Sequence, residues 1–289
     1  MKKLRKILSL TFITVLMAAL FVPGIASAAS KKVKMYVVSS AHVKGVTDAG
    51  VDQNYTLTYT YNKAGLFDTV TSDNESNVTQ KHYYDKNYRV TKTVNTYTYN
   101  GMDYSYTLNM KYKNGKLNKS VFEYDDGSKQ TVKYKWKGGV IASATIDQSY
   151  TNEQGEKVQE TIKKDYKYKM GHVYYVKEYY TKGGNKDVVT KSFTMDSKGN
   201  ITKCRVKKNG KTEKNWYTKA KFSYDSKGRV SGFTIKNRNL ESKCVAGATA
   251  TLEYKKISVD PKYKARIKAQ QWGIINGVDA VNFLGMDKK

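Results

Sequence analysis

Residues 222–235 read Phe-Ser-Tyr-Asp-Ser-Lys-Gly-Arg-Val-Ser-Gly-Phe-Thr-Ile, and the reading of this stretch decides the fold. Phe222 and Tyr224 alternate with polar residues, the period of a strand with one apolar and one polar face. Asp225 and Gly228 are the residues a tight reversal uses: Asp opens the turn and Gly takes the positive φ it demands. Beyond the turn, Val230, Phe233 and Ile235 carry the apolar face onward. The step of three between Val230 and Phe233 reverses side-chain parity before the step of two resumes. A β-bulge just after the turn would do this and would coil the sheet.

The same frame recurs along most of the chain. An aromatic residue or Met is followed three or four residues later by Gly, and two residues after that by an apolar residue. The closer spacing occurs at Tyr112/Gly115/Leu117, Trp136/Gly139/Ile141 and Tyr168/Gly171/Val173. The wider one occurs at Tyr61/Gly65/Phe67, Met195/Gly199/Ile201 and Tyr224/Gly228/Val230. Tyr84/Tyr88/Val90 has Tyr where the others have Gly, and Tyr254 opens a degenerate last copy. These anchors lie 23 to 32 residues apart, and self-similarity at such a period marks a repeat architecture. The parity step returns at Ile141/Ala144/Ile146 and Ile201/Cys204/Val206, whereas the copies at Tyr84 and Tyr112 depart from it.

Alternation before the turns is clean. Tyr55, Leu57, Tyr59 and Tyr61 share one face, as do Tyr104, Tyr106, Leu108, Met110 and Tyr112, and Val132, Tyr134 and Trp136. Seven or eight hairpins and an opening strand near residues 33–43 predict an all-β antiparallel hairpin-repeat meander of about 16 strands. A circular barrel that wide leaves a lumen too large for side chains to fill. The expectation is therefore a coiled or flattened barrel-like sheet whose aromatic faces pack together. Asp260-Pro261 is an N-cap followed by a first-turn proline. It predicts a helix over residues 262–272, with Gly273 as its stop, in a short C-terminal helical cap spanning 260–289. That cap reads as a lid over the last sheet edge, or as a basic helix in peripheral contact with an anionic membrane or polymer.

Residues 1–28 read as a cleaved secretory signal. Lys2, Lys3, Arg5 and Lys6 form its basic start, residues 7–22 its apolar run and Ala26-Ser27-Ala28 its cleavage site. The hairpin repeats then fill residues 29–259 as one domain, and the chain is expected to be secreted or held at a bacterial cell surface. The whole sequence of 289 residues has a formal charge of +27, and removing four cations with the signal leaves +23. Such a surplus draws anionic polymers and surfaces, with strong salt dependence. Cys204 and Cys244 sit in an exported chain, where a bridge is permitted. In an open meander they lie too far apart for one, whereas a curled sheet could join them.

At Tyr224-Asp225-Ser226-Lys227-Gly228-Arg229-Val230 the chain resembles the YD repeats of Rhs-type and wall-associated proteins. Residues 84–90 and 195–201 are looser copies. The resemblance implies an exported hairpin scaffold, often at the cell surface, and brings no catalytic residues with it.

Reactive chemistry is hard to place. His42, His82 and His172 form no metal-spaced pair with another His or Cys, so no metal or other cofactor is expected. Glu123, Asp125 and Asp126 are the densest acidic cluster, and paired carboxylates could serve glycoside hydrolysis, but Asp-Asp-Gly is also an ordinary hairpin turn. Tyr and Trp can stack on sugars, with Lys nearby to hold an anion. Tyr83, Tyr179, Tyr180 and Trp216 lie near turns or off the main alternation and are the candidate ligand contacts. The leading expectation is a non-enzymatic, envelope-associated scaffold that binds anionic wall polymer or glycan, with nucleic acid a lesser option. The alternatives are an outer-membrane-type β-barrel and a glycan-cleaving enzyme. Abundant Tyr and an even strand number suit the membrane barrel; Lys164 and Lys191, which fall on the face that would meet lipid, do not.

Overall fold

The computed structural model describes residues 31–46, 52–74, 77–99, 101–151, 155–182, 185–238 and 245–277. Among them, the strands are β1 (Val33–Val46), β2 (Asp52–Tyr61), β3 (Phe67–Ser72), β4 (Thr79–Tyr84), β5 (Val90–Tyr99), β6 (Met102–Lys113), β7 (Lys116–Tyr124) and β8 (Lys129–Lys137). They continue as β9 (Val140–Thr151), β10 (Lys157–Lys169), β11 (His172–Lys182), β12 (Asn185–Met195), β13 (Ile201–Lys208), β14 (Lys211–Tyr224), β15 (Val230–Arg238) and β16 (Val245–Val259). A 3₁₀ turn at Pro261–Tyr263 leads into the helix α1 (Lys264–Gly277).

Every strand pairs with its neighbours in sequence, and β16 pairs with β1, so the antiparallel meander closes into a sixteen-stranded barrel. This corrects the expected coiled or flattened sheet. The reason lies in the opening strand. Val37, Val38, Ala41 and Val43 give β1 a buried face, and its backbone pairs with β16 from Val33↔Val259 to Val46↔Gly247. The first and last strands thus consume each other's edges, which an open meander would leave bare.

By compactness the chain forms two units. One comprises residues up to Phe67, Ser192–Val206 and Thr212 onward; its buried side chains include Tyr59, Leu66, Ile235, Leu252 and Ile267. The other comprises Asp68–Lys191 and Lys207–Lys211; Leu108, Phe122, Ile141 and Ile146 are among its buried residues.

The repeated turns follow one chemistry. In the wide copies the Asp side chain accepts from two backbone N–H groups: Asp225 from Lys227 and Arg229, Asp196 from Lys198 and Asn200, Asp85 from Asn87 and Arg89. Asn62 does the same for Ala64 and Leu66. Gly228 has φ +74°, and Tyr88 holds φ +55° at the matching place, where its turn tolerates a side chain.

A bulge follows the repeat turn in all five copies whose register is resolved there, whereas the hairpins between copies, such as β5–β6, pair without a shift. The anchor pairs with the first apolar residue after the turn (Tyr84↔Val90, Tyr112↔Leu117, Trp136↔Ile141, Tyr168↔Val173, Tyr224↔Val230), and one residue then slips. The copies at Tyr84 and Tyr112 therefore do not depart from the pattern as expected. Their parity step lands on Thr93 and Ser120, fully buried hydroxyls that a search for apolar residues passes over. Thr93 Oγ1 lies 2.8 Å from His82 Nδ1, and Ser120 Oγ lies 2.8 Å from the Tyr134 hydroxyl.

Ring tips meet the bulges. The hydroxyls of Tyr61, Tyr112, Tyr168 and Tyr254 donate to the carbonyls of Val38, Val90, Ile141 and Val230, at 2.6 to 2.9 Å. Trp136 Nε1 donates to Leu117 O at 2.7 Å. In four of these five contacts the acceptor is the post-turn residue of the preceding copy. The fifth, Val38, sits at a register shift in β1. At these five anchors a Tyr or Trp supplies both a ring for the apolar face and a polar tip for a carbonyl; Met195 keeps only the first role, and Tyr224 gives its hydroxyl to Asp196.

The helix differs in extent and role from the expectation. α1 runs through Gly273 to Gly277 and buries Ile267 and Ile274. Since β1 already covers β16, no last edge remains for a lid. Instead α1 serves strand residues next to turns and bulges. Val38 N donates to Gln271, Phe67 N to Gln270 and Ile201 N to Asn276, all within 3.0 Å. Trp272 Nε1 donates to Gly199 O at 2.8 Å. Asp260 caps the preceding turn by accepting from Lys262 N.

Candidate functional site

The two faces of the strands differ sharply. On β8 Gln130, Val132 and Tyr134 are buried, while Lys129, Lys133, Lys135 and Lys137 are exposed. On β10 Ile162, Lys164 and Tyr166 are buried, while Lys157, Lys163, Lys167 and Lys169 are exposed. The apolar and aromatic alternation therefore faces the core, and the lysines line a hydrated surface.

Several exposed ammonium and guanidinium groups sit over rings. Tyr83, 43% exposed on β4, has Lys81 Nζ at 5.5 Å and Lys92 Nζ at 5.8 Å from its centroid. Tyr179 has Lys177 Nζ at 4.9 Å from its ring, and a side-chain hydrogen bond with Tyr179 holds the Lys177 ammonium above its ordinary pKa. Tyr36, missed in the sequence, gathers Arg229 at 4.3 Å, Lys227 at 5.6 Å and Lys256 at 6.0 Å. Its signal was the opening strand, where it alternates with the buried Val37. The lysines over these rings can meet an anion from the solvent side, whereas Arg229 is held by Asp225 at 2.6 Å.

Tyr83 and Tyr179 lie on separate strands, β4 and β11, and do not form one site. Tyr180 faces the other way, and its hydroxyl donates to Glu178 at 2.9 Å. The side chain of Trp216 lies outside the described residues, as does Cys244; Cys204 is buried on β13.

Glu178 is the centre of a buried charge cluster. Lys164 Nζ lies 2.7 Å from its Oε1 and Lys191 Nζ 3.2 Å from its Oε2. Burial alone would raise its pKa; the two ammonium charges overcome that and hold the carboxyl down to about 2. Lys164 and Lys191 thus occupy the buried face as the alternation predicts, paired rather than bare.

The acidic turn cluster is engaged in structure. Asp125 accepts from Ser105 N, Asp126 from Ser128 N, and Glu123 pairs with Lys129 at 3.1 Å. His42 lies 3.3 Å from Thr56 Oγ1. His82 is buried, and burial pulls its pKa down to about 3. His172 is lowered by burial as well. Among the described residues no group of three or more His, Cys, Asp or Glu side chains is placed to hold a metal.

No family model and no curated protein matches the chain. Two similar solved structures are a porin-like protein from Bacteroides vulgatus ATCC 8482 and one from Bacteroides uniformis ATCC 8492. The first has 11% identity and a TM-score of 0.40, over 75% of this chain and 98% of that one. The second has 13% identity and a TM-score of 0.35, with the same coverage. Likeness of this degree carries no argument about function, and the barrel order stands on the pairing of this chain's own strands.

Proposed function

We propose that this protein is a non-enzymatic, cell-surface-associated β-barrel scaffold that holds anionic wall polymer or glycan on its lysine face. The carrying observation is the partition on β8, where four exposed lysines back onto a buried aromatic-aliphatic face. A face of that kind meets water and anions, whereas a lipid-facing strand carries apolar residues outward. Rings such as Tyr36 and Tyr83, each beneath two or more cations, add places where a glycan or an anion can rest. Bulge-locked hairpins fit the scaffold role that the YD-repeat resemblance implies.

The test is retention on purified cell wall across rising salt. Retention at low ionic strength that falls steeply with salt is expected; absent or salt-insensitive retention refutes the reading. A second reading, the outer-membrane-type barrel, is favoured by the closed order of sixteen antiparallel strands. It requires detergent for solubility, so a monodisperse protein in plain buffer decides against it and aggregation rescued by detergent decides for it.

A further inference from the structure

The strand register sets lysines directly opposite one another. On the exposed face Lys111 of β6 pairs with Lys119 of β7, and Lys119 pairs with Lys133 of β8. Lys133 pairs with Thr145 of β9, Thr145 with Lys163 of β10, and Lys163 with Tyr179 of β11. Four cations thus stand in one line across five strands, at about 4.8 Å per strand step, or roughly 19 Å end to end. All lie in the unit built on Asp68–Lys191. Like charges directly opposite on neighbouring strands destabilise a sheet. Only Lys133 has a carboxylate within ion-pair distance among the described residues, Asp147 at 3.2 Å. Nothing in the fold demands this row, since the Lys111, Lys119 and Lys163 side chains point away from the buried face.

From this line of cations we infer a binding track for a linear phosphodiester-linked polyol, laid across β6–β10. The inference rests on the polyanion reading above and gives it a place and a ligand class. A linear polyanion can lie along such a line and relieve its repulsion at several points. Lys is a compact point charge with rotatable donors, suited to a phosphate that is not presented in one fixed plane. The neighbours on the same face include Asn109, Thr131, Ser143 and Thr161, with hydroxyls and an amide, and two carboxylates, Asp147 and Asp165, but no aromatic ring. The one ring at the end of the row, Tyr179, is covered by Lys177. Bases and sugar rings take much of their affinity from stacking, and this track gives them no open ring to stack on. An acyclic polyol phosphate needs none.

The test compares the triple variant Lys111→Gln/Lys119→Gln/Lys163→Gln with a control, Lys44→Gln/Lys207→Gln/Lys236→Gln, which removes the same charge from exposed positions elsewhere. Binding of poly(glycerol phosphate), polyglutamate and single-stranded DNA is measured against salt. For poly(glycerol phosphate) the row variant is expected to lose at least about tenfold in affinity and about 2 from its log–log salt slope, at roughly 0.7 per flexible-strand contact. The control is expected to lose less than about threefold, and the row variant to melt no lower than wild type, because repulsion is relieved. Equal losses in both variants refute the track while leaving general polyanion binding intact. Tighter wild-type binding of DNA or polyglutamate refutes the ligand class. No polyanion binding by wild type at low salt refutes the parent reading and the track with it.

Discussion

Replacing Glu178 by Gln removes the one charge between two buried lysines, and the structure fixes what this should cost. Lys164 and Lys191 keep only 5% and 6% of their side-chain surface exposed, so neither can turn to water without moving its strand. Breaking a buried ion pair by removing one partner costs about 3–5 kcal/mol. The depressed pKa of the carboxyl points to a cost of the same order. The carboxyl is held at about 2 against an ordinary 4.5, and at 1.36 kcal/mol per pH unit that difference is about 3 kcal/mol. Because the folded-state pKa is depressed, this stability is complete above pH 4.5 and is lost as pH falls toward 2. Denaturant unfolding followed by circular dichroism should therefore show Glu178→Gln less stable by about 3–5 kcal/mol at pH 7. The gap to wild type should shrink steadily below pH 4.5. The triple variant Lys164→Met/Glu178→Leu/Lys191→Met should recover most of the loss, since apolar replacement of a buried charge cluster is often neutral or better. A Glu178→Gln variant within about 0.5 kcal/mol of wild type, the scatter of ordinary surface changes, or a gap that does not vary with pH, refutes this account of the cluster.

His82, held neutral by burial near pKa 3, makes the folded state bind fewer protons than the unfolded one as pH falls through 6.5; between pH 6.5 and 4.5 this should cost about 2 kcal/mol. His82→Leu should flatten that limb of a pH–stability curve, leaving the smaller contribution of His172, which shifts the same way. Tyr168→Phe should cost about 1–3 kcal/mol by leaving the Ile141 carbonyl without its ring donor, measured by the same unfolding transition. Gly65→Ala should lose more than Gly115→Ala in thermal melts. Both sit at positive φ, but a Cβ at 65 would collide with Val259 Cγ1, whereas at 115 it meets nothing within 4 Å. Equal losses would show that backbone strain alone sets the cost.

Much of the fold was legible because β-hairpins write themselves locally: a period of two, an Asp or Asn, a Gly, and a parity step. The step at Val230/Phe233 announced the bulge that the register shows after Tyr224. Where buried hydroxyls took the stepped position, as at Thr93 and Ser120, composition hid the same geometry. Closure was not legible, because it depends on residues 33–46 meeting 245–259 across the whole chain. Glu178 could have been found. Applying the same step of three and then two from Val173, the post-turn residue of the Tyr168 copy, reaches it through Val176, and so places an acid on the face already assigned to Lys164 and Lys191. The extent of α1 escaped because Gly273 looked like a stop, whereas Ile274 and Asn276 beyond it are held by burial and by the Ile201 amide. Of the candidate site residues, Tyr83 and Tyr179 have lysines over their rings, and Tyr180 lies on the face of Glu178 because the bulge at Tyr174 shifts parity.

The ring-to-bulge contacts make the copies dependent on one another in a fixed direction. In four copies the next anchor donates to a carbonyl beside the bulge: Tyr112 to Val90, Trp136 to Leu117, Tyr168 to Ile141, Tyr254 to Val230. Met195 has no donor to offer, and Tyr224 donates to Asp196 instead. An orphaned buried carbonyl costs about 1–3 kcal/mol, so one hairpin alone is penalised and a series is not. Such an array needs special residues where the series begins. β1 answers with Val38, whose carbonyl takes the Tyr61 hydroxyl while its N–H goes to Gln271 of α1. The helix supplies Gln270 to Phe67 and Asn276 to Ile201 in the same way. The helix therefore completes backbone groups of β1, β3 and β13 through its three amide side chains, and these, together with buried Ile267 and Ile274 and the Trp272 N–H on Gly199, fix it there.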